Sequence, residues 1–318
     1  MLGVFLDRAS VDVGDLDLSH LVSTLPSWNF YDQTDIEDVA ERIAGAQVVV
    51  SNKVPLGADT LRGSDSLQLI CVAATGTNNI DLEVARERGV QVCNVRAYAT
   101  PAVVQHTFAL MLALATRLTD YREWVRAGKW PASPMFCSLD FPVREMVGKK
   151  LGIIGYGELG KGVAAVARAF GMEVLVAQRP GNRKPVKGRT ALRDLLPQVD
   201  VLTLHCPLTG ETRGLLGAAE LSLMKPGAVL INTARGGIVD EDALADALRS
   251  GHLGGAGVDV LTEEPPRHGN PLLDNAIPNL IVTPHVAWAS REARQRLVDE
   301  LVANVHAFSA GEVRNAVV

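Results

Sequence analysis

Residues 150–160 read Lys-Leu-Gly-Ile-Ile-Gly-Tyr-Gly-Glu-Leu-Gly and place Gly155, Gly157 and Gly160 in the spacing Gly-x-Gly-x-x-Gly. The spacing alone is a weak signal, but here it follows an apolar strand and opens an apolar-faced helix. In that context the first glycine permits a tight turn, the second lets a pyrophosphate approach the backbone, and the third lets helix and strand pack closely. Free N–H groups at the helix start favour the phosphate charge. The stretch therefore predicts a dinucleotide site rather than a glycine turn that serves packing alone.

The segment after the next predicted strand bears on the choice of dinucleotide. A site selective for NAD usually has Asp or Glu about 20 residues further on, where it bonds the ribose hydroxyls. This chain has Gln178 and Arg179 there, and Arg183 and Lys184 follow. A neutral amide does not repel a 2′-phosphate, and a guanidinium can pair with it. We therefore expect NADP(H), alone or together with NAD(H); a solvated basic loop is the alternative that stays open.

Short runs rich in Val, Ile and Leu alternate with helical patterns on both sides of the glycine turn. Most are apolar without alternation, as expected of parallel strands covered on both faces. The predicted strands are Val4–Leu6, Val48–Ser51, Leu69–Ala74, Val90–Asn94, Leu151–Ile154, Val174–Ala177, Val201–His205, Val229–Asn232, Gly257–Val260 and Leu280–Thr283. This alternation predicts a doubly wound, Rossmann-like α/β fold. A long amphipathic helix over Arg291–Phe308 must bury one face, and periodicity alone does not say where.

Composition limits the classes of function. The chain has 318 residues, enough for about two domains. With 47% hydrophobic and 21% charged residues it predicts a globular protein with a sizeable core. The formal net charge of -5 gives no basic field for a polyanion, so nucleic-acid binding independent of sequence is not expected.

The cysteines and the apolar segments bear on the compartment. Cys71, Cys93, Cys137 and Cys206 are widely spaced in sequence, and no cluster has metal-ligand spacing, so we expect a reducing cytoplasm and no metal. The N-terminus lacks a basic start and a long apolar run, so no signal peptide is expected. The stretch 97–116 carries no charged residue, but its polar residues predict a buried helix rather than a membrane span.

Four ordered motifs resemble the D-isomer-specific 2-hydroxyacid dehydrogenase family. They are Asn232-Thr-Ala-Arg235-Gly-Gly-Ile-Val-Asp240, Gly257-Val-Asp259-Val260, Glu263-Glu264-Pro265-Pro266 and Thr283-Pro284-His285. The resemblance spans essentially the whole chain. Three further stretches look similar to the glycerate dehydrogenase (hydroxypyruvate reductase) branch: 105–110, 205–209 and 284–290.

The resemblance implies two doubly wound parallel-sheet domains, with a nucleotide domain inserted into a discontinuous substrate domain. On this chain it implies a substrate domain at 1–96, an NAD(P)-binding Rossmann domain at 97–286, and a C-terminal helix at 287–318 that completes the substrate domain. The active site of the family lies in the cleft between the domains. The family is commonly dimeric through its nucleotide domains, so a homodimer is expected, with the apolar helix after Pro101 as a contributor to the interface.

The chemistry follows from three side chains in the motifs. Reduction of a 2-oxo acid needs a hydride at C2, a proton at the carbonyl oxygen and a counter-charge for the carboxylate. His285 is the expected general acid, since imidazole exchanges protons near neutral pH. Glu264 would pair with it and orient the ring. Arg235 can present its planar fork to the substrate carboxylate and carbonyl. Taken singly, each residue is better explained by an ordinary ion pair, loop acid or core histidine; the order and spacing of the three favour catalysis.

The resemblance also implies binding positions. The first domain offers a small-residue turn at Thr75 and Gly76 as an anion nest for the substrate carboxylate, with Lys53 facing the same cleft; an ordinary polar turn is the alternative. Trp288 is expected to shape the substrate pocket or the hinge. Arg235 and His285 are expected to contact both substrate and cofactor. The remaining expected cofactor contacts are Thr107, Gly155, Tyr156, Gly157, Glu158, Leu159, Gly160, Gln178, Arg179, Cys206, Pro207, Thr212, Thr233, Ala234 and Asp259.

The motifs together predict an NAD(P)-dependent oxidoreductase that interconverts a small 2-oxo acid and its D-2-hydroxy acid. Hydroxypyruvate and D-glycerate are the expected pair, with glyoxylate and glycolate as a second. A formate or phosphite dehydrogenase is disfavoured, because formate enzymes pair the histidine with glutamine where this chain has Glu264. Two alternatives stay open: a dehydrogenase for another 2-oxo acid, and a cofactor-sensing protein similar to the corepressors of this fold, which keep the catalytic trio.

Overall fold

A computed structural model describes residues 1–182, 184 and 186–318. Its strands are β1 (Leu2–Phe5), β2 (Ser27–Phe30), β3 (Val48–Ser51), β4 (Leu69–Val72), β5 (Gln91–Cys93), β6 (Lys150–Ile154), β7 (Glu173–Val176), β8 (Val201–Leu204), β9 (Val229–Asn232), β10 (Gly255–Val258) and β11 (Leu280–Val282). Its helices are α1 (Ser19–Ser23), α2 (Val39–Arg42), α3 (Ala58–Arg62), α4 (Leu82–Glu87), α5 (Thr100–Ala115), α6 (Leu118–Arg126), α7 (Glu158–Ala169), α8 (Leu192–Leu195), α9 (Ala218–Leu223), α10 (Glu241–Arg249) and α11 (Arg291–Ser309).

The chain forms two compact units, and both are doubly wound α/β units as predicted. The first comprises 1–99 and 288–318, and the second comprises 100–287. The domain boundaries predicted from the sequence are 96/97 and 286/287.

The first unit is built on a parallel sheet with the order β2-β1-β3-β4-β5. Its central strands β3 and β4 are buried along their whole length, because helices and loops cover both faces. One face packs with α11 through Leu297, Leu301 and Val305. The long C-terminal helix therefore buries its apolar face in this unit.

The second unit carries a six-stranded parallel sheet with the order β11-β10-β9-β8-β6-β7. On one face α5 and α7 pack over β6, β8 and β9, and on the other face lie α9 and α10. The chain runs from β6 outward to β7 and then crosses to β8 on the other side. The gap between β6 and β8 is thus the switch point of the sheet, where open α/β sheets bind ligands beyond the carboxyl ends of the strands.

All ten predicted strands are present, with ends shifted by up to two residues. One strand was missed. β2 lies at the sheet edge and alternates exposed and half-buried side chains, so Ser27-Trp-Asn-Phe30 lacks the continuous apolar run that marks the others. The predicted start of α10 is confirmed: Asp240 caps it by accepting from the Ala243 amide at 2.9 Å.

The uncharged stretch 97–116 is the buried helix that the sequence predicts. Val103, Phe108, Met111 and Leu114 of α5 are at most 6% exposed. Within the described part of the chain, no single helix is long and apolar enough to span a membrane. The pair α5 and α6, bent by 61°, meets the length and composition criterion only when taken together.

Candidate active site

The glycine turn lies directly after β6, at the switch point of the second sheet. Gly155 has φ +92°, and a Cβ there would come within 2.4–2.6 Å of the backbone of His205 and Cys206. A Cβ on Gly160 would lie 2.1 Å from the carbonyl oxygen of Gly155. A Cβ on Gly157, by contrast, would meet open space. The first and third glycines are therefore required by packing, and the second keeps the approach to the backbone open.

The start of α7 has the properties of an anion site. Its N-cap is Gly157, which has no side chain to occupy the first N–H groups. The side chain of Glu158, in the first turn of the helix, accepts a hydrogen bond at Oε1 from the hydroxyl of Thr100 at 2.6 Å. Tyr156 and Leu159 are half-buried in the same turn. Free backbone donors at the start of a 12-residue helix suit a pyrophosphate.

The turn after β7 carries the residues expected to read the ribose. The amide of Gln178 donates to the carbonyl of Asn182 at 2.5 Å, and Arg179 is exposed. Arg183, the next basic residue named in the prediction, lies outside the described residues. The guanidinium of Arg189 lies 4.9 Å above the ring of Tyr156, so a further cation borders the glycine turn.

An acidic residue that the sequence did not single out lies against this turn. The side chain of Glu211, in the segment after β8, would come within 3.3 Å of a Cβ on Gly181. The hydroxyl of Thr209 donates to Glu211 at 2.7 Å and lowers the pKa of that carboxyl, and the charge of Arg179 adds to the effect. This part of the site is therefore of mixed charge rather than purely basic.

The three expected catalytic residues follow three neighbouring strands. Arg235 lies after β9, Glu264 after β10 and His285 after β11, and β9, β10 and β11 are adjacent in the sheet. Because all strands are parallel, their carboxyl ends meet at one edge. The three residues are far apart in the sequence, but they lie on adjacent loops at the sheet edge that also carries the glycine turn.

Glu264 and His285 are in direct contact. Nδ1 of His285 lies 2.6 Å from Oε2 of Glu264, and Oε1 of Glu264 accepts from the amide of Leu261 at 2.9 Å. The carboxylate is thus fixed by its own loop and fixes the ring in turn. With Nδ1 bound to a carboxylate, Nε2 is the nitrogen left to exchange a proton.

Arg235 is held by its backbone and keeps its guanidinium half-exposed. Its Nη1 donates to the carbonyl of Ala234 at 2.7 Å, and its own carbonyl accepts from the amide of Asn232 at 3.1 Å. It forms no ion pair with an acidic residue in the described ranges. The next residue, Gly236, has no room for a Cβ, which would lie 1.9 Å from the carbonyl oxygen of Leu261. The loops of Arg235 and Glu264 therefore touch through their backbones.

Asp259 has a role that its position in the motif did not reveal. Its side chain is fully buried and accepts from the hydroxyl of Thr283 at 2.5 Å and from the amides of Val286 and Ala287, both at 2.9 Å. The carboxylate therefore anchors the loop that carries His285. Direct contact with the cofactor, as the family resemblance implies, stays a prediction.

The other expected cofactor residues belong to the same unit, and all of them except the exposed Pro207 are buried. Thr107 of α5 and Thr233 bond through their hydroxyls at 3.1 Å, and Ala234 is 7% exposed. Thr212 donates to the carbonyl of Pro207 at 2.7 Å, which shapes the segment after β8. Burial raises the pKa of the Cys206 thiol. A buried thiol of this kind stays protonated, so Cys206 contributes a small apolar surface to this part of the unit.

The remaining expected substrate contacts, Lys53, Thr75, Gly76 and Trp288, lie in the first unit. The amides of Asn52 and Lys53 donate to the buried carboxylate of Asp7 at 2.9 and 2.7 Å, which leaves Lys53 exposed after β3. Thr75 and Gly76 follow β4, and the Thr75 hydroxyl donates to the carbonyl of Val95 at 2.8 Å. Trp288 packs edge-on against Tyr98, with 6.2 Å between ring centroids.

The second unit fits a dinucleotide on its own geometry. The turn between β6 and α7 is open to a ligand at Gly157, where nothing lies within 4 Å of the Cβ position, and it borders buried small residues after β8 and β9. Beside it lies a histidine–carboxylate pair with a half-exposed guanidinium on the adjacent loop. This combination suits hydride transfer to a substrate that carries a carboxylate.

Comparisons with known proteins agree with this geometry. The family model "D-isomer specific 2-hydroxyacid dehydrogenase, NAD binding domain" matches residues 108–287. A glycerate dehydrogenase from Methylorubrum extorquens is 48% identical over 99% of this chain and 98% of its own. A hydroxypyruvate reductase from Blautia hydrogenotrophica is 38% identical over 99% of this chain and 98% of its own. The structure of an NADPH-dependent glyoxylate/hydroxypyruvate reductase from Sinorhizobium meliloti, in complex with NADP and malonate, aligns with a TM-score of 0.81 at 27% identity and covers 99% of this chain and 96% of its own.

Proposed function

The chain belongs to the D-isomer specific 2-hydroxyacid dehydrogenase family, and we propose that it reduces hydroxypyruvate to D-glycerate and, as a second substrate, glyoxylate to glycolate. The observation that carries the proposal is the contact between His285 and Glu264 at 2.6 Å, beside the glycine turn and the loop of Arg235. The names of the two relatives described above support the choice of substrate.

Each group has one task in this proposal. The turn at Gly155–Gly160 would hold the pyrophosphate of a nicotinamide dinucleotide, whose reduced ring would supply the hydride to C2 of the 2-oxo acid. His285 gives the proton from Nε2 to the carbonyl oxygen, while Glu264 on Nδ1 holds the ring and balances its positive charge. Arg235 bonds the substrate carboxylate and carbonyl through its fork. In the oxidative direction His285 takes the proton back.

The substrate carboxylate has a second expected partner in the first unit. We propose that the backbone at Thr75 and Gly76 binds it, since small residues after a strand leave N–H groups free. We also propose that the ammonium group of Lys53 contributes positive charge to the binding of this carboxylate. Truncation of Lys53 to Met should raise KM for the 2-oxo acid with little effect on KM for the cofactor; equal effects on both would argue against that role.

A panel of 2-oxo acids assayed with NADH and NADPH tests the proposal. Hydroxypyruvate, glyoxylate, pyruvate and 2-oxoglutarate are compared by kcat/KM in the reductive direction. We expect hydroxypyruvate to lead. A clear lead of another acid would reject the substrate but keep the reaction. Cofactor binding with negligible turnover of every acid would favour the cofactor-sensing alternative.

We also propose that NADP(H) is used, together with NAD(H), because Gln178 and Arg179 stand where NAD-selective sites have an acid. Glu211 opposes a 2′-phosphate, so its charge sets the balance. Glu211→Gln should raise the ratio of kcat/KM for NADPH over NADH, and Gln178→Asp should lower it. Ratios unchanged in both variants would place the discrimination elsewhere.

We propose a homodimer, with an interface other than the expected one at α5. α5 is largely covered within its own unit, so it leaves little surface for a partner. α6 and the segment 127–147 instead expose a row of large apolar side chains: Leu118, Val125, Trp130, Met135, Phe136, Leu139, Val143 and Val147. Phe136 and Leu139 are 87% and 89% exposed. A double change of these two to Glu should convert a dimer to a monomer in light scattering; an unchanged mass would refute this surface.

The proposed compartment is the cytoplasm. Cys71 and Cys93 are neighbours across β4 and β5, their thiols are free, and burial raises the pKa of both. Protonated, buried thiols of this kind suit a reducing environment.

A further inference from the structure

We propose that His106, on α5, is a positioning residue for His285, which it supports through Thr283 and Asp259. The inference rests on the catalytic role of His285 proposed above. His106 lies in the stretch 105–110 that resembles the glycerate dehydrogenase branch, but it is not one of the expected site residues. Its ring is the far end of a hydrogen-bond chain inside the second unit.

The fold brings α5 unusually close to β10. Gly257 of β10 has no side chain, and a Cβ there would lie 2.9 Å from the Cβ of Leu110. One helical turn before Leu110 is His106. Because α5 rests on the glycine, His106 reaches the carboxyl end of β10, where Asp259 begins the loop.

The direction of the hydrogen bonds follows from the atoms present. Nε2 of His106 lies 3.1 Å from Oγ1 of Thr283, and that Oγ1 lies 2.5 Å from Oδ1 of Asp259. A carboxylate only accepts, so the single hydroxyl proton of Thr283 points to Asp259. The oxygen of Thr283 must then accept, and His106 must donate from Nε2. The proton position of His106 is thus fixed by its partners, in the neutral and in the charged ring alike.

This chain of hydrogen bonds ends at the backbone amides around His285. Asp259 accepts from the amides of Val286 and Ala287, and its carbonyl accepts from the amide of His285 at 2.8 Å. His285 has φ +53°, in the left-handed backbone region that residues other than glycine seldom adopt. Such a conformation persists only where its surroundings hold it. Thr283 and Asp259 hold it directly, and His106 holds the hydroxyl of Thr283 in the orientation that serves Asp259.

His106 therefore acts on the reaction through the placement of the His285 ring and not by contact with substrate. Nε2 of His106 also lies 3.5 Å from Oδ1 of Asp259. Removal of the ring therefore leaves the oxygen of Thr283 without a donor and takes a polar neighbour from Asp259, which loosens the loop. A displacement of about 1 Å in a catalytic group can cost a hundred-fold in rate. The cofactor site at the glycine turn, built by β6 and α7, is not part of this network.

The test compares His106→Leu, which removes the donor, with His106→Gln, whose amide nitrogen can take the place of Nε2. His252→Leu is the matched control, because His252 is another half-buried histidine of the same unit and its Nε2 lies 3.1 Å from the carbonyl oxygen of Leu221. Three quantities are measured: kcat and KM with the best 2-oxo acid of the panel, the Kd of NADPH by fluorescence, and hydrogen exchange of the segment 283–288. Exchange needs no turnover, so it reports on the network even if the proposed reaction fails in the wild type.

We expect His106→Leu to lower kcat by about 10- to 100-fold, with the Kd of NADPH within two-fold, and to speed exchange in 283–288. His106→Gln should recover kcat to within about three-fold of the wild type and restore protection. The control should change neither quantity. Near-normal kcat and exchange in His106→Leu, or equal losses in the Leu and Gln variants, would overturn the inference. If His106→Leu does not fold, Thr283→Val and Thr283→Ser are compared instead. The Val variant, which lacks the hydroxyl, should lose kcat and protection, and the Ser variant, which keeps it, should retain both.

Discussion

The ring of His205, whose Nδ1 is inaccessible to solvent, predicts a specific dependence of stability on pH. It follows β8, and burial lowers its pKa from 6.5 to about 4. Nε2 lies 3.0 Å from the hydroxyl of Thr203, and Nδ1 has no partner among the described residues. The folded state therefore holds the neutral ring, whereas the unfolded chain takes up a proton below pH 6.5.

The sign and size follow from proton linkage. Because the folded pKa is lowered, the stabilisation is complete above pH 6.5 and is lost as the pH falls towards 4. A shift of about 2.5 units corresponds to about 3 kcal/mol, and about 2 kcal/mol of it is already lost at pH 5.

His205→Gln removes the titration and keeps an amide nitrogen for Thr203. Urea unfolding of wild type and variant is followed by circular dichroism at pH 8 and pH 5. The loss of unfolding free energy between the two pH values should be smaller in the variant by about 2 kcal/mol. The other titrating groups are common to both proteins and cancel in the comparison. Equal losses in the two proteins would refute the argument that His205 is buried and neutral.

Three further predictions concern the site. Arg235→Lys should lower kcat/KM for the 2-oxo acid by about 10- to 100-fold, since an ammonium keeps only one of two parallel bonds that are each worth about 1.5–3 kcal/mol. A near-normal kcat/KM would contradict the role of the fork. Glu264→Gln should lower kcat by about 10- to 100-fold through loss of charge and ring orientation, as checked by steady-state assay; an unchanged kcat would remove the pair from the account. Gly160→Ala should weaken NADPH binding at least about ten-fold in a fluorescence titration, because the added methyl meets the Gly155 carbonyl; unaltered affinity would mean that the turn does not hold the phosphates.

The sequence predicted the parts of the fold whose signals are local. A parallel strand covered on both faces needs a continuous apolar run, so β3, β6 and β9 could be placed within one residue. The edge strand β2 needs only one covered face, and its alternating Ser27-Trp-Asn-Phe30 is as compatible with a loop. α6 was not predicted for a similar reason. Its apolar residues Leu118 and Val125 are exposed, so the helix has no apolar stripe that faces the core.

For the site, the sequence named residues whose spacing follows a motif and missed those that arrive by packing. Glu264 and His285 belong to motifs at strand ends, and the parallel sheet brings adjacent strand ends together. His106 and Glu211 reach the site only because Gly257 lets α5 approach β10 and because the segment after β8 folds onto Gly181. Neither approach leaves a pattern along the chain. Gly257 and Gly181, which permit these contacts, are the trace that the two approaches leave in the sequence.

The central claim is that His285 transfers the proton that accompanies hydride transfer. His285→Ala tests it most directly, with kcat for the 2-oxo acid and the Kd of NADPH measured on the same preparation. The account predicts that kcat falls by about 10²- to 10⁴-fold while the Kd stays within two-fold of the wild type. A kcat within a few-fold of the wild type, at unchanged cofactor affinity, would contradict it.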